Sequence, residues 1–250
     1  MINPQKRKKE VKTENGRNFP AVTADVVVVN IHAMPLRETG FIVNTVLIRR
    51  KDEPFQGMWA LPGGFIEDNE TIEACANREL FEETGIKNRM LFPIGTFSAP
   101  GRDPRGQTIS LAFSTVIPTL HTALKIKAGD DAGEVKLFAV KGRAYIKNDL
   151  DEEGNVVDQD HVSVTLRDPV DGIKIQYVAK FHLDGACHKV AEVEYSSESN
   201  AQLAFDHAEI IALAVASHSS VFNPKRNEVE RAPEILEQDK NRIITPADKI

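Results

Sequence analysis

Glu79, Glu82 and Glu83 stand three and four residues apart within Arg78-Glu79-Leu80-Phe81-Glu82-Glu83. On a helix those spacings bring the three carboxylates onto neighbouring parts of one face. Hard oxygen donors gathered in this way suit Mg2+ or Mn2+, which keep several waters and bridge to phosphate oxygens. The surrounding charge agrees. From Gly64 to Ile86 seven acids (Glu67, Asp68, Glu70, Glu73, Glu79, Glu82, Glu83) face one base, Arg78, a net charge of 1 − 7 = −6. The whole chain also carries −6, so everything outside these positions sums to zero. Like charges at i, i+3 and i, i+4 cost a helix about a few tenths of a kcal/mol per pair. A bound cation would relieve them; the plainer alternative is a solvated acidic face.

The elements that must position these acids can be read locally. Thr71 is placed to cap a helix and Gly85 to end it. Ile72, Ala76 and Leu80 fall at i, i+4 and i+8 and form its buried stripe, with Glu83 expected on the opposite, acidic face. Leu61-Pro62-Gly63-Gly64 leads into it. Gly64, Glu70, Arg78-Glu79-Leu80, Glu82-Glu83 and Gly85-Ile86 together match, in register and without gaps, the nine defining positions of the Nudix box. The chain therefore resembles a Nudix hydrolase, a family that cleaves nucleoside diphosphates linked to another moiety. The resemblance implies that Glu79, Glu82 and Glu83 are metal carboxylates with a backbone carbonyl of Gly63 or Gly64 completing the shell. It implies Glu82 and Glu83 as catalytic, and Glu70 with Arg78 as a buried pair fixing loop to helix.

A second loop narrows the ligand. Ser98-Ala99-Pro100-Gly101-Arg102-Asp103-Pro104-Arg105-Gly106 holds two arginines on a turn-forming backbone, and guanidinium groups grip diphosphate oxygens bidentately. The stretch resembles the arginine loop of Nudix ADP-ribose pyrophosphatases, which assigns Arg102 and Arg105 to substrate binding. A structural turn, with Arg102 pairing Asp103 or a box carboxylate, is the competing reading. Gly129-Asp130-Asp131-Ala132-Gly133-Glu134 offers three further acids. Comparable Nudix enzymes often place an acidic residue near the metals where Glu134 stands. That makes Glu134 a general base or extra metal ligand; otherwise it simply faces solvent. His161, His182 and His188 are assigned surface or core roles.

Strands are expected at Ala24–Ile31, Phe41–Arg50, Leu91–Phe97, Thr108–Ile117 and Glu134–Val140, the last closing a compact core. Strands on both sides of one helix imply an α+β layered domain with a mixed sheet, in line with the α/β/α sandwich that the resemblance implies. Residues 1–20 read as a polar tail, 21–220 as the Nudix domain, 141–200 as a β-rich insertion within it, and 221–250 as a C-terminal tail. A helix should open at Leu203 and run to about Ser217. The insertion's apolar strand faces need a partner surface, either the core of the same chain or the same element of a second copy, and the second copy is the expected one. Nudix pyrophosphatases similar to this chain are commonly homodimers.

Composition bounds the class. Two cysteines in 250 residues, Cys187 and Cys75, the latter within the acidic helix, argue against a disulfide framework and for a reducing compartment, the cytoplasm. There is no apolar stretch of membrane-spanning length, and a pI near 5.7 disfavours nucleic acid as the main partner. The expected activity is metal-dependent hydrolysis of ADP-ribose to AMP and ribose 5-phosphate. Two alternatives remain: a Nudix enzyme for dinucleoside polyphosphates or modified nucleoside triphosphates, and a non-catalytic ADP-ribose-sensing regulator. Such regulators usually carry a degraded box and a further basic module, and the 30 residues after Ser220 are too few for one.

Overall fold

The computed structural model describes residues 19–33, 41–120, 124–129, 133–150, 156–184 and 187–222. The two tails, the acids Asp130 and Asp131, and the turn 151–155 lie largely or wholly outside these, as do the side chains of His182 and His188. In chain order the first elements are β1 (Ala21–Ala33), β2 (Phe41–Arg49), β3 (Trp59–Ala60), β4 (Gly63–Phe65) and α1 (Ile72–Thr84). Then follow β5 (Phe92–Phe97), β6 (Thr108–Leu120), β7 (Glu134–Leu150), β8 (Val156–Asp168), β9 (Ile173–Asp184) and β10 (Cys187–Tyr195). Two helices close the described chain, α2 (His207–Ser217) and α3 (Ser219–Phe222).

The strands form one mixed sheet in the order β10-β9-β8-β7-β2-β1-β6-β5, with β3 on β2 and β4 on β1. β1 and β6 run parallel over their full lengths, while the neighbouring pairs are antiparallel. The unbroken apolar run of β1 follows from its place in the sheet, since a strand covered on both faces has no polar side to alternate with. Ala24, Val26 and Val28 pack with Cys75, Ala76 and Leu80 of α1. Val27 and Val29 point the other way, into a core shared with Ile210, Ile211 and Ala214 of α2. The result is an α+β fold with α1 on one face of the sheet and α2 on the other.

Thr71 and Gly85 cap α1 as their types dictate. The Thr71 hydroxyl accepts from the Ala74 N–H, and Gly85 adopts φ 76° with its own N–H on the Phe81 carbonyl. Only a residue tolerant of positive φ ends a helix this way at no steric cost.

Three expectations need correction. β7 does not stop at Val140; it continues to Leu150 because β8 offers a partner through register Leu150↔Val156. The stretch 141–200 is thus no separate small sheet but an extension of the main one, entered in the middle of a strand. Its apolar face needs no second copy: Val162, Val164, Leu166, Ile175, Tyr177, Ala179 and Phe181 are buried in the same core as α2. Finally, α2 begins at His207 and not at Leu203. Leu203 bridges Trp59, Ala204 donates to the Trp59 carbonyl, and Phe205 sits at φ 52°, which no helix can include.

Candidate functional site

The glycine loop, α1 and the start of β1 meet at very close range. Gly63 and Gly64 pair with Asp25 and Ala24, and a Cβ on Gly63 would lie 2.4 Å from the Ala24 carbonyl oxygen. A Cβ on Gly64 would meet the Glu79 carboxylate at 2.2 Å. Both positions exclude every other residue unless something moves, and the second brings the Gly64 backbone against a box carboxylate. Glu83 is buried, with 8% of its surface exposed, and its Oε2 accepts the Gly63 N–H at 3.0 Å. That corrects the expectation that it lies on an open acidic face. The side chain turns under the glycine loop because the loop presents an otherwise unpaired amide there.

Arg78 is the hub of the remaining acids. Its Nε and Nη2 donate to Glu70 at 2.8 and 3.0 Å, Nη1 to Glu79 at 2.7 Å and to Glu82 at 3.2 Å, and Nη2 also to the Phe65 carbonyl at 3.1 Å. Being planar and branched, the guanidinium spans three carboxylates. Glu70 is held below the usual carboxylate range by its bond to Arg78, against a smaller opposing effect of burial. Glu79 is raised by burial, with Arg78 pulling it back. Burial pushes Glu83 up to about 8, and repulsion from Glu79 and Asp25 adds to this, despite the Gly63 amide.

These residues fit a divalent cation. Among the described residues no three Asp, Glu, His or Cys side chains converge closely enough to hold one unaided, and Arg78 bonds both Glu79 and Glu82. The donors are nonetheless all hard oxygens, with the buried Glu83 and the half-buried Glu79 burdened by each other's charge. Mg2+ needs only one or two direct carboxylates beside its waters. Glu79, Glu82 and Glu83, with the Gly64 carbonyl, are the groups that would hold it.

Across the glycine loop lies a cavity of about 180 Å3, lined by Asp25, Arg50, Gly63, Gly64, Phe65, Arg102, Asp103, Arg105, Phe205 and His207, among others. Both arginines from the loop after the box reach it, yet their partners differ from the expected ones. Arg102 is almost wholly buried and forms a two-point ion pair with Asp206, Nε to Oδ2 and Nη2 to Oδ1, each 2.6 Å. Arg105 holds Asp103 through Nε at 2.9 Å and Nη2 at 2.7 Å, while 41% of its side chain stays exposed. Burial would raise the Asp103 carboxyl, but Arg105 and the Arg105 backbone N–H hold it below its ordinary value.

Four lining residues escaped the sequence reading. Asp25 is buried and takes a short hydrogen bond from the Ser110 hydroxyl; burial raises its carboxyl, with that bond opposing. An acid inside the run Ala24–Val29 was the available signal. His207 accepts the Leu61 N–H on Nδ1 at 2.8 Å, and its Nε2 lies 3.6 Å from Asp25 Oδ1. Burial lowers its pKa to about 4, so the ring is neutral near pH 7 with its proton on Nε2. Arg50 and Phe205 complete the set, the guanidinium lying 4.8 Å from the ring centroid. Glu134 stands elsewhere in this geometry. It opens β7 beside Arg49, lies 3.3 Å from Lys136 and 3.9 Å from Arg49, and does not line the cavity.

Comparison with known proteins agrees with the geometry. The NUDIX domain model matches residues 28–153. The ADP-ribose pyrophosphatase of Methanocaldococcus jannaschii is 46% identical over 93 residues, which are 37% of this chain and 53% of that protein. The ADPR responsive transcriptional repressor NtrR of Acinetobacter baylyi is 32% identical over 100 residues, 39% of this chain and 37% of the repressor. The chain thus spans about half or less of these relatives' length. A MutT/nudix family protein from Enterococcus faecalis superimposes with a TM-score of 0.55 at 28% identity, covering 80% of this chain and 62% of that one. The matched residues run from β1 through the glycine loop, the acidic helix and the arginine loop to the end of β7, and on that ground the chain belongs to the NUDIX domain family.

Proposed function

We propose that the chain is a divalent-metal-dependent pyrophosphohydrolase of nucleoside diphosphates linked to another moiety, with ADP-ribose as substrate and AMP and ribose 5-phosphate as products. The observation that carries this reading is the meeting of two opposite electrostatic regions at Gly63-Gly64. The α1 carboxylates, with Glu83 buried and Glu79 half-buried, stand on one side and a cavity lined by three guanidinium groups on the other. A diphosphate needs both, a cation-holding acidic face and direct cationic donors for its remaining oxygens. When bound, Mg2+ or Mn2+ would supply charge neutralisation and a water of lowered pKa. The chain's own groups supply the rest. Arg105 offers its exposed guanidinium edge to phosphate oxygens, the glycine loop allows close approach, and Glu83 reaches the cavity wall through Gly63. Glu83 is therefore better placed than Glu134 to accept a proton.

The substrate class is supported by the likeness to the Methanocaldococcus pyrophosphatase. The likeness to the Acinetobacter repressor favours one second reading, a domain that binds the same ligand without cleaving it. Cytoplasmic location and assembly as a homodimer are parts of the same proposal; among the described residues no helix is long and apolar enough to cross a membrane. A panel of ADP-ribose, dinucleoside polyphosphates and nucleoside triphosphates, assayed with Mg2+ and with Mn2+, tests the reading. ADP-ribose should show the highest kcat/KM, whereas binding without turnover would establish the sensing role.

A further inference from the structure

The three arginines of the cavity are not equivalent. Arg102 spends two nitrogens on Asp206, and Arg105 spends two on Asp103. Arg50 makes no ion pair among the described residues. Its Nε donates to the Pro54 carbonyl at 2.8 Å and its Nη2 to the Asp52 carbonyl at 3.3 Å, and Nη1 bonds no group among the described residues. The residue is half-buried and its backbone is clamped, with its N–H on the Met58 carbonyl at 3.0 Å and its carbonyl taking the Gly57 N–H at 2.9 Å. Burial and the nearby Arg105 both pull its pKa below the ordinary value. Glu83, Asp103 and Asp52 lie near enough to oppose this shift, but none of them forms an ion pair with Arg50 among the described residues, so its charge has no direct partner and is available to an anionic ligand.

Phe205 holds the arrangement in place. Its ring centroid lies 4.8 Å from the Arg50 guanidinium carbon and 5.3 Å from that of Arg105, and Phe55 packs on it edge-on at 4.8 Å. A phenylalanine at φ 52° occupies a region that bulky side chains avoid, so its surroundings must hold it there. The next residue, Asp206, is the one that fixes Arg102.

We propose that Arg50, acting with Arg105 from beside the Phe205 ring, is a substrate-contacting and specificity-determining residue that takes the diphosphate oxygens of the ligand, while Arg102 is a structural tie. This rests on the reading above that the ligand is a nucleoside diphosphate. Arg50 is suited to the task because two carbonyls and an aromatic ring fix the plane of its guanidinium and leave one edge free.

The test is calorimetric titration, with Mg2+ present, of the non-hydrolysable α,β-methylene analogue of ADP-ribose and, separately, of inorganic pyrophosphate. The proteins are wild type, Arg50→Gln, Arg50→Lys and Asp206→Asn. Loss of a charge-assisted contact predicts about ten- to a hundredfold weaker binding of both probes to Arg50→Gln, with only partial recovery in Arg50→Lys. The melting midpoint of Arg50→Gln should stay near that of wild type. Should wild type bind pyrophosphate through Arg50 but not the ADP-ribose analogue, the anion receptor stands and the substrate assignment falls. Equal affinities of wild type and Arg50→Gln for both probes overturn the inference, as does a wild-type protein that binds neither. So does a loss of affinity in Arg50→Gln no larger than that in Asp206→Asn.

Discussion

Removing one partner of the Arg102–Asp206 pair should damage the fold far more than it damages catalysis. Both side chains are almost wholly buried, at 5% and 9% exposure, and they meet through two hydrogen bonds of 2.6 Å. Burial alone would lower the Arg102 pKa, but Asp206 more than reverses this, so Arg102 keeps its charge. Asp206→Ala leaves a guanidinium buried and unpaired, a change that costs about 3–5 kcal/mol where the site cannot relax. For a domain of this size 1 kcal/mol moves the midpoint by about 2–4 °C, so a fall of about 6–20 °C is expected. Arg102→Met should cost less than Arg102→Ala, because Met refills the space and both leave the same carboxylate, which is closer to solvent. Urea denaturation of wild type, both single mutants and the Arg102→Met/Asp206→Leu double mutant gives the coupling directly. If Asp206→Ala melts within 2 °C of wild type while its KM rises sharply, the pair is part of the ligand site and this reasoning is wrong.

Glu83→Gln should lower turnover by roughly a hundredfold or more, as when a preorganised charge-stabilising group is lost. In metal-free buffer near pH 7 its melting point should not fall, because burial together with Glu79 and Asp25 already pushes Glu83 up to about 8, and the Gln amide oxygen can accept the Gly63 N–H in its place. Differential scanning of the two proteins in EDTA checks this. Gly64→Ala should impair metal-dependent activity before it unfolds the protein, since the new methyl collides with the movable Glu79 carboxylate; activity against Mg2+ concentration reads it out. His207 contributes stability through its neutral form. Its folded pKa, about 4, lies below the unfolded value near 6.5, so that contribution is whole above pH 6.5 and is lost as pH falls toward 4. The difference in unfolding free energy between wild type and His207→Gln should shrink across that window, and a constant difference would refute the assignment. Sedimentation should show a dimer. A monomer would remove that part of the proposal without touching the site, because the apolar face of β8 and β9 is covered by α2 of the same chain.

The parts of the molecule legible in sequence were those written in local spacing. α1 declared itself through Thr71, Gly85 and a stripe four residues apart, and the strands through β-branched runs. What was not legible depended on partners far along the chain. β7 outlasts its alternating pattern at Val140 because β8 supplies a register of hydrogen bonds, which no property of Lys141-Gly142-Arg143 announces. α2 starts late because Leu203 and Ala204 are drawn onto Trp59, and Asp206 onto Arg102 from 104 residues away. The site divided in the same way. The box acids, contiguous on one helix, could be named beforehand. Asp25, Arg50, Phe205 and His207 come from three separate segments and share a cavity only after folding. Asp25 alone carried a signal, an acid in the middle of a strand that both faces bury.

The most direct test of the central claim is the time course of ADP-ribose with saturating Mg2+, read by separating nucleotide products, for wild type and Glu83→Gln. Wild type should give equimolar AMP and ribose 5-phosphate, a reaction abolished by EDTA and slowed about a hundredfold or more in Glu83→Gln. Undiminished turnover in EDTA, or an undiminished rate in Glu83→Gln, would contradict it.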